Sequence, residues 1–302
     1  MLNTTINERS LAANTLPVVE LMSLHTGGGA TQLLYHLTAL AILPKSLGGK
    51  ETCVVICDTD GTFNIKRLVQ QLRLLLASHP RSEKVNINKA IIHPSLRHVH
   101  ILRPQSLAAL TASLDTLPTY FFNKHKHYSF DRAVGFIAID SASAFYWQDR
   151  AETEDAAFFA KTSDGEEATQ SGYVALAAVL KKTCAALQCP AIFTSWHLGP
   201  MAPTPYASRA FRPSLPAALV TMVTLRLVTQ RIAVRKFPPL ISVEGARREA
   251  ESRIKAVEEG RFECFVNELG VEERLLRRMQ KEGGWLFVFR ILKDGVVFEE
   301  RP

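Results

Sequence analysis

The stretch Ser23-Leu24-His25-Thr26-Gly27-Gly28-Gly29-Ala30-Thr31-Gln32-Leu33-Leu34-Tyr35-His36-Leu37 decides the reading of this chain. Before it, Leu16 to Met22 is an apolar run of the length and composition of a short buried strand. After it, Leu33, Leu34, Leu37, Leu40 and Ala41 recur at helical spacing, which predicts an amphipathic helix from Gln32 to Leu43. A strand, a glycine-rich turn and a helix are the context a phosphate-binding loop requires. There the backbone N–H groups turn inward on the phosphates at the positive end of the helix. The pattern G-x-x-x-x-G-K-[ST] places Leu24 at its first glycine, Gly29 at its second, Ala30 at the lysine and Thr31 at the magnesium-binding hydroxyl. Ala30 therefore removes an ammonium group, a loss of about 1.5–3 kcal/mol or roughly ten- to a hundredfold in nucleotide affinity. The same residues also read as a plain strand-to-helix turn, with Gly27, Gly28 and Gly29 supplying flexibility only.

With 302 residues and 47% hydrophobic content, the chain can bury a large core. No apolar run reaches bilayer-spanning length, and Met1 to Thr15 has no basic region followed by an apolar core, so an intracellular soluble protein is expected. Cys53, Cys57, Cys184, Cys189 and Cys264 form no C-x-x-C pair and read as buried reduced thiols. A net charge of +7 permits an anionic partner without requiring one.

Further along, Thr52 to Asp58 is a second buried strand that ends in the polar turn Asp58-Thr59-Asp60-Gly61-Thr62-Phe63. A helix starting at Asn64 carries Ile65, Leu68, Val69, Leu72 and Leu75 on one face. His79 to Pro94 reads as a polar loop, His98 to Leu102 as a third strand and Ser106 to Leu117 as a helix. His125 and His127 alternate in a basic loop, the pattern of an exposed face. Ala133 to Asp140 is a nearly continuous apolar run that delivers one carboxylate to its carboxyl end, as a magnesium-holding strand does. Ala151 to Gly172 reads as an acidic loop, Tyr173 to Leu187 as a helix, Pro190 to Ser195 as a fifth strand and His197 to Pro216 as an irregular loop. A short helix and a strand within Ala217 to Val234, a charge-balanced helix from Val243 to Arg261, and strands at Phe262–Asn267 and Trp285–Ile291 follow. Asp294-Gly295 closes a hairpin with Val296 to Phe298. Five strands alternating with helices predict an α/β fold, a mostly parallel twisted sheet with helices on both faces and a C-terminal antiparallel extension. Residues 1–15 are expected to be a short flexible N-terminus. Residues 16–302 are expected to be one domain with insertions near 151–172 and 243–261.

The blocks Leu34 to Leu68 and IDSASAFYWQDR, Ile139 to Arg150, resemble the eukaryotic RecA-like recombinase paralogues, and Phe211-Arg212-Pro213 begins a further similar stretch. The resemblance implies a RecA-like P-loop NTPase core. It puts the family's lysine at Ala30 and keeps the hydroxyl at Thr31 and the magnesium-holding carboxylate at Asp140. The water-orienting Glu of the family's Asp-Thr-Glu-Gly-Thr-Phe motif falls at Asp60, and the γ-phosphate-sensing Gln at Trp196. Those changes imply a degenerate ATPase without working catalytic residues, in which ATP and Mg would bind only weakly, through Gly27, Gly28, Gly29, Ala30 and Thr31.

The loops that line DNA in such filaments fall at Ala151 to Gly172, which is acidic, and at His197 to Pro216, which is only mildly basic. DNA is thus expected to be contacted mainly through a complex. Family members carry an N-terminal module and a linker that hooks onto the next subunit. Only Met1 to Thr15 precedes the first strand here, which implies a terminal subunit that receives a neighbour's linker near Val99 and Ile101. The implied role is a nuclear scaffold subunit, with another recombinase paralogue as its direct partner, in homologous-recombination repair and replication-fork maintenance. The alternative is an ATPase whose missing cation a partner supplies in trans.

Overall fold

A computed structural model describes residues 16–77, 88–160, 171–198, 209–234, 237–238, 240–269, 271 and 273–299. The parallel strands are β1 (Val18–Ser23), β2 (Cys53–Asp58), β3 (Val99–Leu102), β4 (Val134–Asp140), β5 (Ala191–Trp196) and β6 (Leu225–Arg231). β7 (Arg261–Val266), β8 (Leu286–Leu292) and β9 (Gly295–Phe298) extend the same sheet in antiparallel fashion. The order across it is β3-β2-β4-β5-β1-β6-β7-β8-β9, which puts β1 in the middle and β3 on an edge. The helices are α1 (Ala30–Ile42), α2 (Ile65–Ala77), α3 (His93–Leu96), α4 (Leu107–Phe121), α5 (Tyr146–Ala160), α6 (Gly172–Leu187), α7 (Ala217–Val220), α8 (Val243–Glu258) and α9 (Glu273–Lys281). The α/β architecture with a C-terminal antiparallel stretch is the one the sequence predicts.

Alternation along the strands divides the core between two faces. Val54 and Ile56 of β2 face a cluster with Leu33 and Leu34 of α1 and Leu68 and Leu72 of α2, which also takes in Phe262, Phe289 and Val296 from the antiparallel strands. Cys53, Val55 and Cys57 face the other way, against Leu110 and Leu114 of α4 and Leu176 and Leu180 of α6. All five cysteines are buried and free. No described helix is long and apolar enough to cross a membrane. The C-terminal hairpin is pinned to α2: Gln71 accepts from the N–H of Val296 at 2.7 Å, and Arg67 donates to the carbonyls of Leu292 and Lys293.

Four local expectations need correction. The segment read as a loop up to Pro94 contains a helical turn, Asn88–Ile92, that runs into α3, and buries Ile92; the part at 78–87 lies outside the described residues. In the acidic segment after Ala151, residues 161–170 lie outside the described residues, and residues 151–160 are helical as part of α5. Its Asp149 accepts from Ser171 Oγ at 2.7 Å and from the N–H of Gly172 at 2.8 Å, so a buried carboxylate caps the start of α6. Helix α9 is an element the sequence reading does not anticipate, although Leu275, Leu276 and Met279 recur at helical spacing among its charges and Met279 is buried in the core.

Helix α4 runs through Pro118 to Phe121 although proline cannot donate to the carbonyl of Leu114. That carbonyl accepts instead from Thr183 Oγ1 of α6 at 3.0 Å, in a fully buried contact. A partner on the neighbouring helix thus replaces the bond that proline removes. Thr183→Val, similar in shape but unable to donate, should lower the unfolding free energy by about 1–3 kcal/mol, while Thr183→Ser should keep most of it. Urea unfolding of the three proteins checks this.

Candidate functional site

The glycine loop connects β1 to α1 at the carboxyl ends of the parallel strands, where doubly wound sheets place ligands. Leu24 is buried and donates to the carbonyl of Thr229 on β6, while His25, Thr26 and Gly27 are exposed. The N–H of Gly28 closes a tight turn on His25 O at 3.0 Å. A Cβ on Gly28 would lie 2.8 Å from Ser23 Cβ. Gly29 adopts φ 97°, and a Cβ there would lie 3.2 Å from each of Phe262, Phe289 and Ile291. The loop is therefore held between β1 and the antiparallel strands: a side chain is excluded at Gly28 by Ser23, and one at Gly29 would be strained by the left-handed backbone and crowded by three neighbours.

Ala30 opens α1, and its methyl is buried in the cluster shared by α1, α2 and the C-terminal strands. No side chain caps the N-terminus of α1, so the first amides of the helix keep their positive potential. What is missing is a cation on a long stem.

Thr31 and Asp140 meet as the sequence pattern requires: Thr31 Oγ1 donates to Asp140 Oδ1 at 3.0 Å. Thr194 of β5, the strand between β4 and β1, donates to the same oxygen at 2.6 Å and accepts from the N–H of Ser141 at 2.6 Å. Ser141 sits at φ 67°, a left-handed conformation unusual for a residue with a side chain. It is held there by Thr194 and by Thr59, whose hydroxyl lies 2.7 Å from the carbonyl oxygens of both Asp140 and Ser141. Asp140 Oδ2 is buried with no hydrogen-bond partner. Burial pushes the Asp140 carboxyl up to about 6, against the two hydroxyl donors and with the charges of Asp60 and Asp58 adding to the rise.

Asp58 stands beside Asp140 in the parallel register. It accepts from the N–H of Phe63 at 3.2 Å and from Arg103 Nε at 3.1 Å, so one arginine lies against the acidic end of these strands. Asp60 spends Oδ1 on its own turn, accepting from the N–H and hydroxyl of Thr62 at 3.2 and 2.8 Å. Trp196 ends β5 half-exposed, its N–H donating to Ser143 Oγ at 3.3 Å. Val99 and Ile101 lie half-buried on the edge strand β3, away from the loop and paired with β2. The structure thus brings Gly27 to Thr31 and Asp140 to one place, with Asp60 and Trp196 on neighbouring strand ends.

Sequence reading missed Thr194, Thr59 and Ser141, which align Asp140. It also missed Glu20, fully buried on β1, which accepts from Ser195 Oγ at 2.6 Å and from Arg226 on β6. Each is an ordinary hydroxyl in a strand or turn except Glu20 and Arg226; two charges inside apolar strand runs were the available signal.

The residues fit a divalent cation: an orphaned buried carboxylate oxygen beside a threonine hydroxyl is an incomplete set of oxygen ligands. Among the described residues no three His, Cys, Asp or Glu converge as a metal cage. A cation here would rest on Thr31 and Asp140, with water and phosphate oxygens completing its shell. The cradle fits a triphosphate less well, because Ala30 offers a methyl where charge is needed.

Comparison with known proteins finds no matching family model. The chain is 35% identical over 126 residues to the DNA repair protein XRCC2 of Mus musculus, which covers 41% of this chain and 39% of that protein. It is 33% identical over 118 residues to mouse DNA repair protein RAD51 homolog 2, covering 39% and 30%. With DNA repair protein rhp57 of Schizosaccharomyces pombe it shares 29% identity over 133 residues, covering 43% and 35%. The chain thus spans 30–39% of the length of the relatives it matches. Over the stretches they share, the chain is similar to these DNA repair proteins.

Proposed function

We propose that this protein acts as a non-catalytic scaffold subunit of a recombinase-paralogue complex in the nucleus, supporting homologous-recombination repair and the maintenance of replication forks. The observation that carries the reading is the buried methyl of Ala30 at the position of the phosphate-binding ammonium. Phosphoryl transfer is electrostatic positioning almost throughout, so loss of that charge weakens the transition state more than the ground state. The turn reinforces this, because Asp60 is already occupied by Thr62 and is one methylene shorter than a glutamate that would reach an attacking water.

A scaffold needs a surface for its neighbour. Strand β3 is the edge of the sheet and pairs with β2 alone among the described strands, so its outer backbone groups can take an added strand. Val99 and Ile101 stand on that edge. The direct partner is proposed to be another RecA-like recombinase paralogue, with DNA contacted mainly through the assembled complex.

The second reading, an ATPase completed by a cation from a partner, is favoured by one observation. Thr31 Oγ1 lies 3.0 Å from Asp140 Oδ1, and the second carboxylate oxygen beside it has no hydrogen-bond partner, so both could turn to a divalent cation. Calorimetry separates the two. The natural chain should show no heat of binding with ATP and magnesium at millimolar concentration, and Ala30→Lys should gain binding by roughly ten- to a hundredfold. Tight binding by the natural chain, or hydrolysis that appears when a partner is mixed in, would put the second reading first.

Two further outcomes test the arrangement. The Asp140 carboxyl is raised to about 6 in the fold from an ordinary value of 3.8. Its contribution to stability is therefore complete below pH 4 and is lost as the pH rises through 6. Asp140→Asn should raise unfolding stability at pH 7.5 by up to about 3 kcal/mol and flatten the pH dependence between 4 and 6. Magnesium, if bound, should protect the natural chain and not the variant. Separately, Ile101→Asp should abolish co-purification with a recombinase-paralogue partner while circular dichroism shows a folded chain; unchanged recovery of the partner would refute the edge-strand site.

A further inference from the structure

A second surface lies at the amino ends of the parallel strands, the opposite end of the sheet from the glycine loop. There α4 is joined to β4 through Phe122-Asn123-Lys124-His125-Lys126-His127-Tyr128-Ser129-Phe130. Phe122, Tyr128 and Phe130 are 69%, 73% and 59% exposed. Three large rings facing water within nine residues is a concentration that scattered surface apolarity does not produce. Lys124, His125 and Lys126 between them are exposed too. Arg97, exposed just before β3, stacks its guanidinium 5.0 Å from the centre of the Tyr128 ring.

The exposure of these rings is built into an anchored loop. Ser129 Oγ lies 2.9 Å from both His98 Nδ1, just before β3, and His100 Nε2 on β3, which ties the loop to the sheet edge. His127 Nε2 lies 3.1 Å from the carbonyl of Phe121, and its Nδ1 accepts from the N–H of Ser129. Asn123 Oδ1 accepts from the N–H of His125, and Asn123 O from the N–H of Lys126. Backbone and polar side chains are thus satisfied within the loop while the rings are presented outward.

Rings alone would suit an apolar partner, and cations alone would be a solvated face. Interleaved, with Arg97, Lys124 and Lys126 set against Asp131, they match a polymer that alternates π-faces with negative charge. Bases stack on aromatic side chains with little regard to sequence, and lysine and arginine neutralise the phosphates between them. A duplex hides its base faces and could use only the cations, so the exposed rings select an unpaired strand. We propose that the Phe122–Phe130 loop, with Arg97, is a binding surface for single-stranded nucleic acid. It is independent of the glycine loop and of the segments after β4 and β5.

Fluorescence anisotropy of a labelled oligothymidylate with the full-length chain tests this. The expected result is salt-sensitive binding. Tyr128→Ala should weaken it about tenfold. Replacing Lys124 and Lys126 together by alanine should reduce the slope of log affinity against log salt by about 1.4. Trp147→Ala, which removes an exposed ring of α5, should change neither. All four positions are on the surface, and circular dichroism confirms folding. The proposal is overturned if the chain does not bind the oligonucleotide, or if Trp147→Ala removes binding that Tyr128→Ala leaves intact. It is equally overturned if Tyr128→Ala spares binding while abolishing capture of a recombinase-paralogue partner, which would make the loop a protein interface.

Discussion

Asp140 is an ionisable group with 1% of its surface exposed, and the carboxyl ends of the central strands are arranged around that fact. An isolated carboxylate in such a place is costly unless it is bonded or neutralised. Thr31 and Thr194 share one of its oxygens, Thr59 braces the backbone on either side, and Arg103 relieves the neighbouring Asp58. These contacts join the ends of β2, β3, β4 and β5 to the start of α1. The second oxygen keeps no partner, and that residue of unfavourable solvation is what raises the carboxyl's affinity for a proton or a divalent cation. A single buried charge therefore sets the chemistry of the site and fixes the relative height of four strand ends.

The sheet around this point was largely legible in the chain. β2 and β4 are runs of apolar and β-branched residues, and each ends in an Asp. That is the pattern of a parallel strand buried on both faces with its functional end at the carboxyl terminus. Helices α1 and α2 carry apolar stripes at the right period. Where reading failed, the information was tertiary. Nothing local to Pro118 announces that α4 continues, because the donor that replaces its lost bond is Thr183, on another helix. Nothing local to Ala151 announces α5, whose Asp149 finds its role as a cap on α6. Helix α9 is only nine residues long, and its short apolar stripe, which buries Met279, is easily passed over between five charges.

The site shows the same division. Spacing sufficed to pair Thr31 with Asp140, because the strand–loop–helix order dictates where both must lie. It could not reveal Thr194 as the shared partner of both Asp140 and Ser141. That role depends on β5 lying between β4 and β1, and strand order is a property of the whole sheet. Likewise Glu20 is plain in the sequence as a charge within an apolar strand, yet its partner Arg226 is 206 residues away. Burial makes that pair mutually dependent: either charge without the other would be stranded beside β1, at the base of the loop.

Residue 30 and the residues around it in the glycine loop obey different constraints. The lysine position serves only a bound phosphate, so a methyl there leaves the fold intact, and Ala30 packs into the apolar cluster below it. Thr31, Thr194 and Asp140 serve the sheet as well as any ligand, since each satisfies a buried polar atom of another. Removing one would expose the rest to the cost of burial. Gly28 and Gly29 are held in the same way, by the closeness of Ser23 and of the Phe262, Phe289 and Ile291 side chains. A loop with its glycines and threonine–carboxylate pair in place and a methyl at residue 30 is the form the proposed scaffold role would leave. The presence of those parts argues for the architecture, and the buried methyl of Ala30 is the feature that bears on catalysis.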